Sequence, residues 1–242
     1  MRAQLADLPF RLPAVFVPGP NAGLASPNAG DRLASMETLR AAAREAMALG
    51  VGVLVIEPGV VRVAGEVRAD DVTDRAADWS GDYAQALVAR RGAALDQTLD
   101  RACRALFDLS RAVPDLVLAL SPSRKVTGLG APGTLATIFE DLPNCRLEFW
   151  ANPAIAACRQ TILGEDPGVW LEQFADRMAG ITLSDAAEQS TDLPPGAGVV
   201  DYGMVASYLP REATLPGVVE LDPAVPVAEL AGVHSFLAKF GL

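Results

Sequence analysis

The chain has 242 residues, half of them hydrophobic, which is enough for a large core and compatible with a single α/β domain over residues 1–242. A formal net charge of −10 and an isoelectric point near 4.6 argue against a nucleic-acid partner, since affinity for phosphate backbones comes largely from Lys and Arg. No charged-then-apolar leader opens the chain, no apolar run approaches the ~20 residues of a membrane span, and Cys103, Cys145 and Cys158 are too few and too scattered for a disulfide or zinc framework. The expectation is a cytoplasmic protein with reduced thiols and no membrane contact.

In chain order, residues 14–17 read as a short apolar strand closed by Pro18-Gly19-Pro20. Residues 32–49 carry apolar side chains at helical spacing and are capped by Gly50. Residues 51–56 form an aliphatic strand ending at Glu57-Pro58-Gly59, and residues 60–80 a polar, acidic loop. One long helix is predicted over 82–112, with Leu87, Leu95, Leu99, Cys103, Leu106 and Leu109 on its buried side and Pro114 beyond its end. A buried strand over 116–120 leads into a Gly- and Ser-rich loop, 121–132. Helix 134–142, strand 146–150 and helix 169–179 follow. Strand 181–183 then opens into a long polar loop that returns through Pro194-Pro195-Gly196-Ala197-Gly198 to Val199-Val200-Asp201-Tyr202, the entry to a helix. Strand 217–221 and helix 227–240 close the chain.

Strands that are apolar on both faces, each followed by a helix, imply a parallel sheet covered by helices. Six such strands are readable, two short of a closed eight-stranded barrel. The stretch GITLSDAAEQSTDLPPGAGVVDYG, residues 180–203, resembles the seventh strand and loop of the xylose-isomerase-like barrels, the sugar isomerases and epimerases together with the AP endonucleases of family 2. Residues 17–59 are similar to the third and fourth strands of that family, LALSPSRKVTGLG to the fifth, LEFWANP to the sixth and GVVELDP to the eighth. The resemblance covers the chain from about residue 14. It implies an α/β, TIM-barrel-like fold that is incomplete, with about six βα units and the first two strands missing. The first thirteen residues hold too little apolar surface to replace those strands, so a homodimer covering the open side is expected.

The resemblance also implies a divalent metal centre of His, Glu and Asp at the C-terminal strand ends, and here the chain departs from it. Val17, Glu57, Ser121, Trp150, Pro153 and Thr182 stand where the family places metal ligands, and Glu220 alone matches. The only histidine, His234, falls on the last helix as a surface or packing residue. No cofactor is expected, beyond a weak Mg²⁺ on carboxylates, since oxygen-only sites suit hard cations.

What the pattern leaves at the strand ends is polar and acidic. The functional reading makes Glu57 and Glu220 the catalytic pair, with one as general base, while Ser121, Trp150, Thr182, Asp185, Asp192 and Lys125 bind ligand. The bland reading makes the two glutamates solvated or paired relics, Trp150 a filler of space, Lys125 part of a solvated loop, and Arg146 with Glu148 a structural ion pair. Two functions follow from these readings: a metal-independent isomerase or epimerase on a small polyhydroxy or sugar-acid ligand, or a non-catalytic pseudoenzyme that binds or assembles with a partner.

Overall fold

The structure is a computed structural model that describes residues 11–18, 23–63, 70–75, 79–209 and 215–242. Most of the first thirteen residues, whose apolar surface is expected to be too small to replace two strands, therefore lie outside the described residues, as do Gly19 and Pro20 and parts of the acidic loop. The strands are β1 (Val15–Phe16), β2 (Val53–Ile56), β3 (Val117–Leu120), β4 (Leu147–Ala151), β5 (Met178–Leu183), β6 (Asp185–Ala187), β7 (Ser190–Leu193) and β8 (Gly217–Val219). Six lie in one sheet in the order β1-β2-β3-β4-β5-β8, and β6 with β7 makes an antiparallel pair. Parallel pairing joins β1 to β2, β2 to β3, β4 to β5 and β5 to β8. Helices alternate with these strands, which makes the fold α/β and TIM-barrel-like but incomplete.

Contacts gather into two compact units that interleave along the chain. The first is built by the described residues within Met1–Arg62, Ala94–Ser121 and Gly128–Glu148. Helix α1 (Ala29–Ala48) starts where the Asn28 side chain accepts from the Gly30 and Asp31 amides, and it buries Met36, Leu39, Ala43 and Ala46. Just past it Gly50 takes φ +74°, the left-handed turn that ends many helices. Ala25, Val61, Ala102 and Leu129 form a buried cluster with Leu95 and Leu99 packed on it. Gly59, at φ +129°, lies where a Cβ would sit 3.0 Å from the Ala25 methyl, so a larger residue would disturb both the turn and this cluster.

The predicted single helix over 82–112 is two helices, α2 (Gly81–Gly92) and α3 (Leu95–Ala112). Gly92 weakens the helix at the break. The two halves also serve different cores: Leu87 packs with Val72, Val126 and Ala154, whereas Leu95 and Leu99 pack with Ala25 and Leu129. Helix α4 (Pro132–Asp141) completes the first unit. The expected ion pair between Arg146 and Glu148 is not formed; Arg146 is exposed and donates to the Pro114 carbonyl at 3.2 Å. Its long side chain reaches solvent and the preceding loop more cheaply than a buried position.

The second unit is built by the described residues within Val63–Ala93, Pro122–Thr127 and Phe149–Leu242. It contains a helix that hydrophobic periodicity does not reveal, α5 (Pro153–Leu163). Asn152 caps it, Pro153 occupies the first turn, and Gly164 ends it at φ +68°. Residues 153–159 are all buried, so the helix is apolar nearly all round and carries no amphipathic stripe. The helix predicted over 169–179 stops early: α6 (Gly168–Phe174) passes through a 3₁₀ turn into β5 at Met178. Helices α7 (Tyr202–Tyr208) and α8 (Leu230–Leu237) follow, with 3₁₀ turns on both sides of α8 in place of the single helix predicted over 227–240.

Arg159 of α5 is 1% exposed and binds Glu165 through two bonds of 2.7 and 2.8 Å. Its remaining amino group donates to the Ser123 and Lys125 carbonyls, so one guanidinium holds the loop after β3 against α5. Arg159→Met should cost roughly 2–4 kcal/mol, because the carbonyls and Glu165 lose their donor together. Chemical denaturation measures this directly; a loss under about 1 kcal/mol would show that the loop holds its own shape.

Candidate functional site

Asp185, at the start of β6, is 1% exposed and carries its charge on backbone amides alone. One oxygen accepts from the Ala186 and Val200 amides at 2.8 and 2.9 Å, and the other from Gly196 at 2.8 Å. Those amides lie at the two ends of the loop, so a single carboxylate ties the β6–β7 hairpin to the return segment. Gly196 turns at φ +92° with the Phe236 ring against it, where any side chain would collide. Asp201 then caps α7, and Tyr202 donates to the Ser184 carbonyl at 2.9 Å. Burial, with the Asp185 charge adding to it, raises the Tyr202 phenol and keeps it neutral. Asp185 is thus committed to the loop, with three of its lone-pair positions in use.

Trp150 of β4 and Thr182 of β5 meet in the sheet. The indole Nε1 donates to the Thr182 hydroxyl at 2.9 Å, and both residues are buried. Gly180 makes room for the ring, since a Cβ there would run into the indole. Trp150 therefore lies flat over β5, its polar end satisfied by the residue that stands where the family resemblance implies a metal-binding histidine.

Charged groups gather around β7 and the segment after β8. Asp192 adopts φ +65°, a left-handed conformation that Asp tolerates better than most residues. One Asp192 oxygen lies 3.6 Å from the Arg124 guanidinium; the other is buried with no hydrogen-bond partner among the described residues. The Asp192 carbonyl accepts from the Asp222 amide at 2.8 Å, which brings the segment after β8 beside it. Glu220 has much of its surface in solvent, yet its pKa is raised, first by partial burial and then by Asp192, with Arg124 opposing. Exposure limits the size of that shift; partial burial sets its direction and the neighbouring Asp192 adds to it.

Lys125 ion-pairs with Asp70 at 2.6 Å, and Thr127 donates to the other Asp70 oxygen at 2.8 Å. The remaining two expected site residues, half-buried Glu57 after β2 and buried Ser121 after β3, belong to the first unit, where the Ser121 amide donates to the Ile56 carbonyl. The thiol of Cys158 is pushed up to about 11 by burial, and that of Cys103 likewise to about 11 by burial and then Asp141; both stay protonated at neutral pH.

A transition-metal centre does not fit this donor set. Thr182 offers a neutral hydroxyl already engaged by Trp150, Asp185 is spent on amides, and among the described residues no three His, Cys, Asp or Glu side chains converge. Arg124, which the sequence offers beside Lys125 as a possible holder of a carboxylate, and Asp70, which reads as solvated surface, are the partners that complete these pairs. Nothing in their local patterns marks the pairing, because each finds its partner from a distant loop.

No protein-family model matches the chain, and no curated protein matches it at the sequence level. Solved structures do. A D-tagatose 3-epimerase-like protein is 17% identical with a TM-score of 0.68, over 99% of this chain and 80% of its own. The 3-keto-D-glucoside 4-epimerase YcjR from E. coli is 12% identical at 0.66, over 98% and 82%. A xylose isomerase domain protein from Planctomyces limnophilus is 12% identical at 0.63, over 99% and 79%. At such identities the likeness is one of fold: the chain has the xylose-isomerase-like barrel fold found in sugar epimerases.

Two substitutions check this geometry. Asp185→Ala should lower stability by about 2–4 kcal/mol, since three amides lose a charged acceptor in a buried setting. Thr182→Val leaves the Trp150 N–H unpaired and should cost about 1–2 kcal/mol, with a blue-shifted Trp emission. Differential scanning calorimetry and fluorescence spectra read both, and an unperturbed Asp185→Ala protein would mean that the loop needs no anchor.

Proposed function

We propose that this chain is a metal-independent sugar isomerase or epimerase, acting on a small polyhydroxy ketone or sugar acid, with Asp192 and Glu220 as its working carboxylates. The observation that carries the reading is the asymmetry of this pair. Asp192 is held beside Arg124 with one buried oxygen left without a partner among the described residues, while Glu220 is pushed toward its protonated form. Two neighbouring carboxyls in unlike surroundings suit a division into a base and an acid. The xylose-isomerase-like fold, shared with proteins named as sugar epimerases, supports the substrate class by analogy.

In this reading Asp192 removes the proton from the carbon beside the substrate carbonyl, and Glu220 as a carboxylic acid gives its proton to the carbonyl oxygen. The product of that step is a neutral enediol. Delivery of a solvent proton to the other face of the same carbon, with the former carbonyl oxygen giving its proton back to Glu220 and Asp192 releasing its proton to solvent, gives the epimer. Delivery to the former carbonyl carbon, with loss of the proton of the other hydroxyl, gives the isomer. Arg124, 3.6 Å away, anchors the position of Asp192. Trp150, with its N–H occupied by Thr182, offers only its ring to a ligand.

A non-catalytic assembly role rests on a different observation. Edge strand β1 carries Phe16, 50% exposed, at one end of the sheet order. Such an edge pairs readily with another chain, and a twofold dimer is the simplest cover. Light scattering at micromolar concentration distinguishes a monomer from this dimer.

Incubation with a panel of ketoses in D₂O should incorporate deuterium beside the carbonyl, equally with and without chelator. Glu220→Gln should slow this exchange by about 10²-fold or more, the usual worth of a general acid. Exchange that chelator abolishes would replace the metal-free reading, and no exchange with any ketose would favour the assembly role.

The pH dependence has a definite sign. A carboxyl with a raised folded-state pKa favours folding at low pH, and this contribution is lost as pH rises through that pKa. Glu220→Gln should therefore leave the protein equally or more stable at neutral pH, with any gain vanishing in acid. Asp192→Asn removes the repulsion and should move the Glu220 titration to lower pH, as followed by side-chain carboxyl NMR.

A further inference from the structure

Residues 123–127, which follow β3, are held along their backbone by groups from three other parts of the second unit. Four successive carbonyls each meet a donor. Ser123 and Lys125 accept from the Arg159 guanidinium at 3.0 and 3.2 Å, Arg124 from the Val72 amide at 2.9 Å, and Val126 from the Arg91 guanidinium at 3.3 Å. Two amides are taken up as well, that of Val126 by the Asp70 carbonyl at 2.7 Å and that of Lys125 by the Ser123 hydroxyl at 3.2 Å.

Arg159 is the centre of this frame, and Glu165 sets its plane. The Arg159 Nε and Nη2 face the two Glu165 oxygens, which leaves Nη1 aimed at the carbonyls on either side of Arg124. A guanidinium only 1% exposed is costly to keep, and what it yields here is the position of one short loop.

The side chains of the loop show what that position serves. Val126 lies in the core, and Lys125 and Thr127 both return to Asp70 beside them. Arg124 instead reaches out of the frame to Asp192 on β7. The far side is held too, since Asp192 sits at φ +65° and its carbonyl takes the Asp222 amide at 2.8 Å. At 3.6 Å the contact is one of charge rather than a hydrogen bond. Its length is therefore set by the two backbones that carry the pair.

We propose that Arg159, oriented by Glu165, is a positioning residue for the Asp192–Glu220 site, fixing the loop from which Arg124 meets Asp192. Its link to turnover rests on the Asp192–Glu220 reading, whereas the meeting of Arg124 with Asp192 is measurable without any reaction.

The side-chain carboxyl ¹³C resonance of Asp192 reads the contact, and that of Asp185, whose charge is met by amides, is the control. Arg124→Gln removes the contact and sets the scale. Arg159→Lys keeps the charge without the planar fork, and should move the Asp192 resonance in the same direction while Asp185 stays in place. Glu165→Gln alters a partly exposed residue and should act alike, so it carries the test if the Arg159→Lys protein does not fold. Either change combined with Arg124→Gln should move Asp192 no further than Arg124→Gln alone, because both act through one guanidinium. Deuterium exchange into ketoses should slow about tenfold or more in Arg159→Lys and in Arg124→Gln, again without adding.

An unmoved Asp192 resonance in the folded variants, an equal move of Asp185, or effects that add to those of Arg124→Gln would each overturn the positioning role. So would undiminished exchange in a variant whose Asp192 resonance has moved. A native protein that exchanges no deuterium while the Asp192 shifts follow this pattern would sink the isomerase reading and uphold the positioning of Arg124.

Discussion

A carboxylate sealed from water is tolerable only if protons are brought to it, and in this protein the backbone brings them. Asp185 collects the amides of Ala186, Gly196 and Val200, and the path of the chain from β5 to α7 follows from that requirement. Gly196 must turn left-handed to present its N–H and has the Phe236 ring where a side chain would go. Val200 arrives two residues before α7 begins, which places Tyr202 to donate to the Ser184 carbonyl and to pack edge-on against Phe236 at 5.5 Å. Loop, helix start and C-terminal aromatic cluster thus share one electrostatic origin.

Arg159 is the complementary case, a buried cation that polar oxygens must satisfy. Its partners are Glu165 on the same side of the chain and two carbonyls from the loop after β3. Because an arginine presents its donors in a fixed plane, it fixes that loop in position as well as neutralising charge. The loop it holds carries Arg124 and Lys125, and each of these faces an acid: Asp192 for the first, Asp70 for the second. Rigidity in the buried layer therefore sets where the charged groups nearer the surface meet.

Trp150 shows what a large buried ring demands of the strand beside it. A large ring needs Gly180 opposite it and an acceptor for its N–H, and both come from β5. These demands are met by three residues on two neighbouring strands. A neutral hydroxyl already engaged by an indole is a poor ligand for a transition metal.

Much of this was legible in the sequence, because it depends on local periodicity and on residues near in the chain. Apolar runs gave β2, β3 and β5; helical spacing and Gly50 marked the body and end of α1; the run Val199-Val200-Asp201-Tyr202 marked the start of α7; and the ordered motifs pointed to the barrel fold and to Thr182 in a histidine's place. Tertiary structure decided the rest. Helix α5 is apolar nearly all round, so periodicity has nothing to register, and the break between α2 and α3 appears only once Leu87 and Leu95 are seen in separate cores. The pairing of Arg124 with Asp192 and of Lys125 with Asp70 depends on side chains meeting across long loops. Such meetings leave no trace in spacing, because a charge or a donor looks the same in sequence whether its partner is water, a carbonyl or nothing.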